Sequence, residues 1–126
     1  MTDYVLCVSG SRDFDDYKYL SDSLDLILAD HGRPRVIMHG AAPGADALAS
    51  HYAYENKIDV DPYGAKWGSY GSGAGPIRNQ LMALLLYPGD MLAAFPLPGS
   101  RGTRDMVSKV NKLDRCNIRV FEKGDN

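Results

Sequence analysis

Met91-Leu92-Ala93-Ala94-Phe95 runs by way of Pro96-Leu97 into Pro98-Gly99-Ser100-Arg101-Gly102-Thr103, after which apolar residues recur with helical spacing to about residue 113. Five consecutive apolar residues bounded by turn residues read as a buried strand. A strand that feeds a glycine-rich turn and then a helix gathers outward-pointing backbone N–H groups at the positive end of the helix dipole, and such a cluster attracts phosphate. The same grammar occurs twice more. Tyr4-Val5-Leu6-Cys7-Val8 runs into Ser9-Gly10-Ser11-Arg12, and Val36-Ile37-Met38 runs into His39-Gly40-Ala41-Ala42-Pro43-Gly44-Ala45-Asp46. One such turn serves equally well as an ordinary tight turn, but three together point to a nucleotide-sized ligand.

Outward from these turns, strands and helices alternate along the chain, the pattern of an α/β fold with a mostly parallel sheet and helices on both faces. Strands are expected over about residues 4–9, 35–38, 58–61, 91–95 and 118–121. The first helix is capped by Asp15 or Asp16, buries Tyr19, Leu20, Leu24, Ile27 and Leu28, and stops at His31-Gly32 before Pro34. The second covers about residues 45–56, the third runs from Pro76 to about Leu86 before Pro88-Gly89, and the fourth covers residues 103–113 with Thr103 as a cap. Residues 62–74 read as an aperiodic loop carrying Tyr63, Trp67 and Tyr70, and loops of that length in a compact fold are usually functional. The tail from Glu122 reads as frayed. Right-handed crossovers, with ligands at the carboxyl ends of parallel strands, bring the three glycine turns to one edge.

The 126 residues are expected to form a single domain, 1–126, long enough to bury about two thirds of the unfolded surface. A net charge of −2 and a pI of about 5.8 argue against a general nucleic-acid-binding face. The two cysteines, Cys7 and Cys116, have no zinc-site spacing and read as reduced packing residues. The N-terminus opens directly into a strand, and the longest apolar run, residues 81–87, is too short to span a bilayer, so a cytoplasmic protein without membrane contact is expected. The acidic cluster Asp13, Asp15 and Asp16 reads as helix capping, and no metal site or cofactor is expected beyond Mg²⁺ brought in by a phosphorylated ligand. Leu81, Leu84 and Leu85 give the third helix more apolar surface than one sheet face needs, which points to a homodimer or higher homo-oligomer.

Several residues have both a ligand reading and a structural one. Arg12 and Arg101 sit in or beside glycine turns, where a guanidinium holds phosphate with two parallel hydrogen bonds or pairs with Asp13 or Asp105. Arg78 falls in the first turn of its helix, an unfavourable place for a cation that a ligand phosphate would offset. Asp46 either caps the second helix or reaches ribose hydroxyls. Ser11, Ser100 and Thr103 carry hydroxyls that donate to phosphate. Trp67 either stacks on a base or anchors its loop, and Tyr70 shares the stacking reading. His39 reads as structural.

Together, Gly10-Ser11-Arg12-Asp13-Phe14, His39 through Asp46, Trp67, Ala74-Gly75-Pro76-Ile77-Arg78-Asn79 and Phe95 through Thr103 resemble the YspA-type branch of the SLOG superfamily over nearly the full length. The resemblance implies a Rossmann-like three-layer sandwich, a bacterial or phage source and a nucleotide or nucleotide-derived ligand. It places ligand contacts at Gly10, Ser11, Arg12, Gly40, Gly44, Asp46, Trp67, Arg78, Asn79, Gly99, Ser100, Arg101, Gly102 and Thr103. The superfamily includes the LOG phosphoribohydrolases, whose signature Pro-Gly-Gly-x-Gly-Thr-x-x-Glu works with an upstream Arg. Here Arg78 matches that Arg and Gly99, Gly102 and Thr103 match the turn, but Ser100 replaces the second Gly and Met106 stands at the Glu position. A Met neither moves a proton nor stabilises an oxocarbenium-like centre. The leading expectation is therefore a protein that binds its ligand as a sensor or sequesters it. The alternatives are a LOG-like hydrolase with Arg78 and Asp105 as catalytic groups, and a DNA binder akin to DprA, which the acidic pI disfavours.

Overall fold

A computed structural model describes residues 3–122; the frayed end expected of the tail falls, from residue 123 on, outside the described residues. The chain alternates β1 (Val5–Gly10), α1 (Tyr17–His31), β2 (Val36–His39), α2 (Ala45–Asn56), β3 (Asp59–Pro62), α3 (Trp67–Tyr70), a 3₁₀ turn (Gly71–Gly73), α4 (Ala74–Leu84), β4 (Met91–Phe95), α5 (Arg101–Leu113) and β5 (Asn117–Val120). All four strand pairings are parallel, in the order β3-β2-β1-β4-β5. The α/β, Rossmann-like sandwich expected from the sequence is thus what the chain forms.

Side chains alternate across the sheet, so neighbours on one strand enter different cores. Leu6 and Val8 join Leu20, Leu24, Ile27, Ala49 and Tyr52 under α1 and α2. Val5 and Cys7 join Met82, Leu86, Met106 and Val110 under α4 and α5. Strand order runs outward from β1 in both directions, and the reversal lies between β1 and β4, where Gly10 stands opposite Phe95. That crevice is where an open parallel sheet presents a ligand site.

The caps refine the expected boundaries. Asp16, of the two candidates, caps α1 by accepting from the Tyr19 N–H at 3.0 Å, and Gly32 closes the far end by donating to the Leu28 carbonyl at 2.8 Å. Residues 62–74 are not wholly aperiodic: Trp67–Tyr70 forms one helical turn that leads through Gly71–Gly73 into α4. Consequently α4 starts at Ala74 rather than Pro76, and Arg78 lies in its second turn, not its first. Likewise α5 starts at Arg101, so Thr103 is inside the first turn and Ser100 occupies the cap position.

Candidate functional site

At the end of β4, Ser100 N–H donates to the Leu97 carbonyl at 3.0 Å, and Gly99 makes the turn at φ +80°. That backbone conformation is costly for any residue with a Cβ. The Ser100 hydroxyl does not cap α5; it bonds the Thr103 hydroxyl at 2.7 Å. The first-turn amides of Arg101, Gly102 and Thr103 are therefore left without a side-chain cap, at the positive end of the helix dipole.

The other two glycine turns differ, because their amides find partners within the chain. After β1, the Ser11 N–H donates to the Phe95 carbonyl, Asp13 N–H to the Ser11 hydroxyl and Phe14 N–H to the Ser11 carbonyl, while α1 begins only at Tyr17. After β2, the N–H groups of Gly40 and Ala42 both donate to Asp46 Oδ2, at 3.1 and 3.3 Å, and the Ala41 N–H donates to His39 Nδ1 at 2.9 Å. A carboxylate of the chain itself occupies the place that a phosphate would take. Because His39 Nδ1 accepts, its Nε2 carries the proton and donates to Ser50 Oγ at 2.6 Å. Burial, and then the charge of Arg78, lower the His39 pKa, consistent with a neutral structural ring.

Gly40 and Gly44 lie behind the cleft wall rather than on it. A Cβ on Gly40 would collide with the Arg78 guanidinium. At Gly44, φ is +79° and a Cβ would fall onto the Ser11 and Arg12 carbonyls, so this glycine lets the β2–α2 turn dock on the β1 turn.

Arg78 connects that docked turn to the helices opposite. Its Nη1 donates to the Gly40 carbonyl and, at 3.4 Å, to the Tyr63 carbonyl, and its Nε donates to Asn79 Oδ1 at 2.9 Å. Buried Asn79 passes the link on, donating to the Gly102 carbonyl at 3.3 Å and to Asp105 Oδ2 at 3.0 Å. Asp105 Oδ1 in turn meets Lys109 Nζ at 2.5 Å. Burial pushes Asp46 up to about 6, against the opposing pull of the Ala42 amide and Arg78; burial also lowers the pKa of Arg78.

Above this floor opens a cleft of about 650 Å³, lined by Gly10, Ser11, Arg12, Asp46, Trp67, Arg78, Asn79, Asp105 and the whole turn from Gly99 to Thr103. The structure thus gathers every predicted contact except Gly40 and Gly44. The Arg12 guanidinium sits 5.9 Å from the Trp67 ring centroid, bridging the mouth. Among the described residues neither Arg12 nor Arg101 makes an ion pair, since Asp105 is engaged by Lys109. Met106 is fully buried in the core, whereas Asp105, one position earlier, faces the cleft. Gly75 and Pro76, which belong to the motif around Arg78 but not to the expected contacts, also line the cleft, and Lys109 lies behind it, its signal in the sequence being the i,i+4 spacing from Asp105. A second groove of about 660 Å³ between α5 and β5 is bordered by Leu97, Val107 and Val120 and has no comparable set of arginines. Among the described residues no three His, Cys, Asp or Glu side chains form a group able to hold a metal ion, and no helix is long and apolar enough to cross a membrane.

The YspA, cpYpsA-related SLOG family matches residues 4–70, the stretch from β1 through α3. The chain is also similar to the Gene 61 protein of Mycobacterium phage D29, with 32% identity over 123 residues that cover 94% of each chain. That similarity extends past residue 70 to Arg78, Asn79 and the α5 turn. No solved structure gives a significant match.

Proposed function

We propose, from the premise that this chain belongs to the YspA, cpYpsA-related SLOG family, that the cleft between β1 and β4 binds a nucleotide or nucleotide-derived small molecule, as a sensor or a sequestering protein. The observation that carries this reading is the uncapped start of α5 beside two arginines that, among the described residues, make no ion pair. A phosphate seated on the Arg101–Thr103 amides gains the dipole and charge-assisted bonds from Arg101 and Arg12. Trp67 then offers an aromatic face to a base at the cleft mouth, and Asp46, with Oδ2 bonded to the turn, has Oδ1 for a ribose hydroxyl. Native mass spectrometry of the purified protein, alone and after incubation with nucleoside monophosphates, ADP-ribose derivatives and cyclic nucleotides, tests the reading. An intact retained nucleotide is expected; absence of binding across the panel would remove it.

A second reading, N-glycosidic hydrolysis of a nucleoside monophosphate, is favoured by one observation: the cleft does hold a carboxylate on α5, at Asp105. Its oxygens are tied to Asn79 and Lys109 on the cleft wall, and the position at which the LOG signature carries its Glu is Met106, buried in the core, so the family's acid/base group is missing from its place. Binding without turnover is accordingly the leading reading. Release of free base and ribose phosphate that disappears in Asp105→Asn would reverse that order.

A further inference from the structure

Arg12 and Trp67 meet across the cleft mouth, and neither is held strongly by anything else. Among the described residues the Arg12 guanidinium makes no hydrogen bond and no ion pair; it lies over the Trp67 ring, 5.9 Å from its centroid. Trp67 is 49% exposed and belongs to α3, a single helical turn with no buried residue, and the 3₁₀ turn that follows has none either. A methyl added at Gly68, Gly71 or Gly73 would meet nothing within 4 Å, so little packs against this segment. A Cβ on Gly75 would stand 3.4 Å from Trp67 Cη2. One edge of the indole therefore rests at Gly75 while one face carries Arg12.

We propose that the Arg12–Trp67 contact is a latch that reserves the cleft for phosphorylated ligands: a phosphate draws Arg12 off the ring, and only then is that face of Trp67 free for a base. The inference rests on the reading of the cleft as a nucleotide site and adds how the site excludes unphosphorylated nucleosides. A base inserted between guanidinium and ring needs about 7 Å, twice a van der Waals contact, and the pair stands closer than that. Cation and base thus exclude one another on this face. Arg12 also lines the same cleft as Arg101 and the uncapped start of α5, and its charge acts on Asp46 and Arg78 at the cleft floor. A phosphate seated there offers Arg12 charge-assisted hydrogen bonds, which outrank a solvent-exposed cation–π contact. A neutral nucleoside offers no such exchange and must lift Arg12 from the ring without any new bond for the guanidinium. Arg12 therefore discriminates twice, by attracting the phosphate and by withholding Trp67 from ligands that lack one.

The emission of Trp67, the single tryptophan of the chain, reads the latch. Inorganic phosphate is titrated into the full chain at constant ionic strength, with its binding followed separately by calorimetry. At saturation, phosphate is expected to shift the wild-type emission to that of ligand-free Arg12→Ala and to leave the emission of Arg12→Ala unchanged. Arg12→Lys, which keeps a cation for both partners, is expected to keep the shift. Phosphate that binds without moving the emission would overturn the latch and leave the anion site standing, whereas phosphate that does not bind would remove both. Saturating phosphate is also expected to tighten adenosine binding to the wild type by about 2- to 5-fold, the strength of an exposed cation–π contact. Arg12→Ala is expected to bind adenosine more tightly than the wild type by the same factor, with no further gain from phosphate. A wild type that binds adenosine as well as Arg12→Ala does would overturn the proposal. Should Arg12→Ala lower the melting temperature, Arg12→Gln, which loses the charge and keeps a long side chain, carries the same comparisons.

Discussion

Asn79 joins the two helices that wall the cleft: its Nδ2 donates to Asp105 Oδ2 at 3.0 Å while its Oδ1 accepts from Arg78 Nε at 2.9 Å. Neither partner leaves a choice of amide orientation, since Arg78 only donates and the carboxylate only accepts. The result is one hydrogen-bonded path from Lys109 through Asp105, Asn79 and Arg78 to the Gly40 carbonyl, whose own N–H is held by Asp46. α5, α4 and the β2–α2 turn are thereby fixed to one another beneath the cleft.

Replacing Asn79 by Leu keeps the volume and removes its three bonds, to Arg78, to Asp105 and to the Gly102 carbonyl, which leaves half-buried Arg78 Nε and one oxygen of half-buried Asp105 without those partners. The expected loss is about 1–3 kcal/mol of unfolding free energy, the usual cost of an unsatisfied buried polar group. Urea denaturation measures it. An unchanged midpoint would show that the path contributes no stability.

Gly44→Ala is expected to be more disruptive than its size suggests. Its φ of +79° is unfavourable for alanine, and the added methyl meets the Ser11 and Arg12 carbonyls, which are backbone and cannot swing away. We expect more than about 1 kcal/mol of destabilisation, from the same kind of melt. Gly68→Ala is the control: nothing lies within 4 Å of its added methyl.

Much of this arrangement was legible in the sequence, and the parts that were not share a cause. The apolar runs around Leu6, Ile37 and Leu92 identify the parallel strands because their residues are buried on both faces, a condition that propensity and pattern express together. The choice of Asp16 over Asp15 as cap, the start of α5 at Arg101 and the helical turn Trp67–Tyr70 depend on which hydrogen bonds form, and that is set by tertiary neighbours. Similarly, Gly-rich turns look alike as sequence. Only the folded chain shows that Asp46 and the Ser11 hydroxyl have taken up amides in two of them, leaving the start of α5 open. Met106 is turned into the core, and because adjacent helix positions differ by about 100°, Asp105 is the one that reaches the cleft.

Stability should depend on pH through Asp46. Burial raises its pKa from an ordinary 3.8 to about 6, so between those values the folded chain binds more protons than the unfolded chain. The contribution of Asp46 is therefore fully present below about pH 4 and is lost as pH rises through about 6, by up to a few kcal/mol. His39 acts in the opposite sense: its pKa is lowered in the fold, so its contribution is present above the unfolded value and falls as pH drops through the folded one. The difference between wild type and Asp46→Asn isolates the first group, since the amide oxygen still accepts from Gly40 and Ala42. That difference should move in favour of Asp46→Asn as pH rises from 4 to 7 in urea melts; a constant difference would mean that Asp46 stays ionised in the fold.

Trp67 is the only tryptophan in the chain, and it lies against Arg12 at the cleft mouth, so its fluorescence reports directly on what enters. Inorganic phosphate competes for Arg12 and Arg101 without touching the ring, whereas a nucleoside monophosphate brings a base that stacks on it. The nucleotide is therefore expected to quench more strongly than phosphate at equal saturation. Arg101→Ala removes one charge-assisted contact and should weaken both ligands about 10- to 100-fold, equivalent to about 1.5–3 kcal/mol. Arg12→Ala should weaken both and also change the spectrum of the free protein, because the cation leaves the ring. Added salt should reduce the affinity of the wild type more steeply than that of either variant, as each lacks one of the cations that salt screens. Equal affinities for wild type and Arg101→Ala would place the anion elsewhere than at the start of α5.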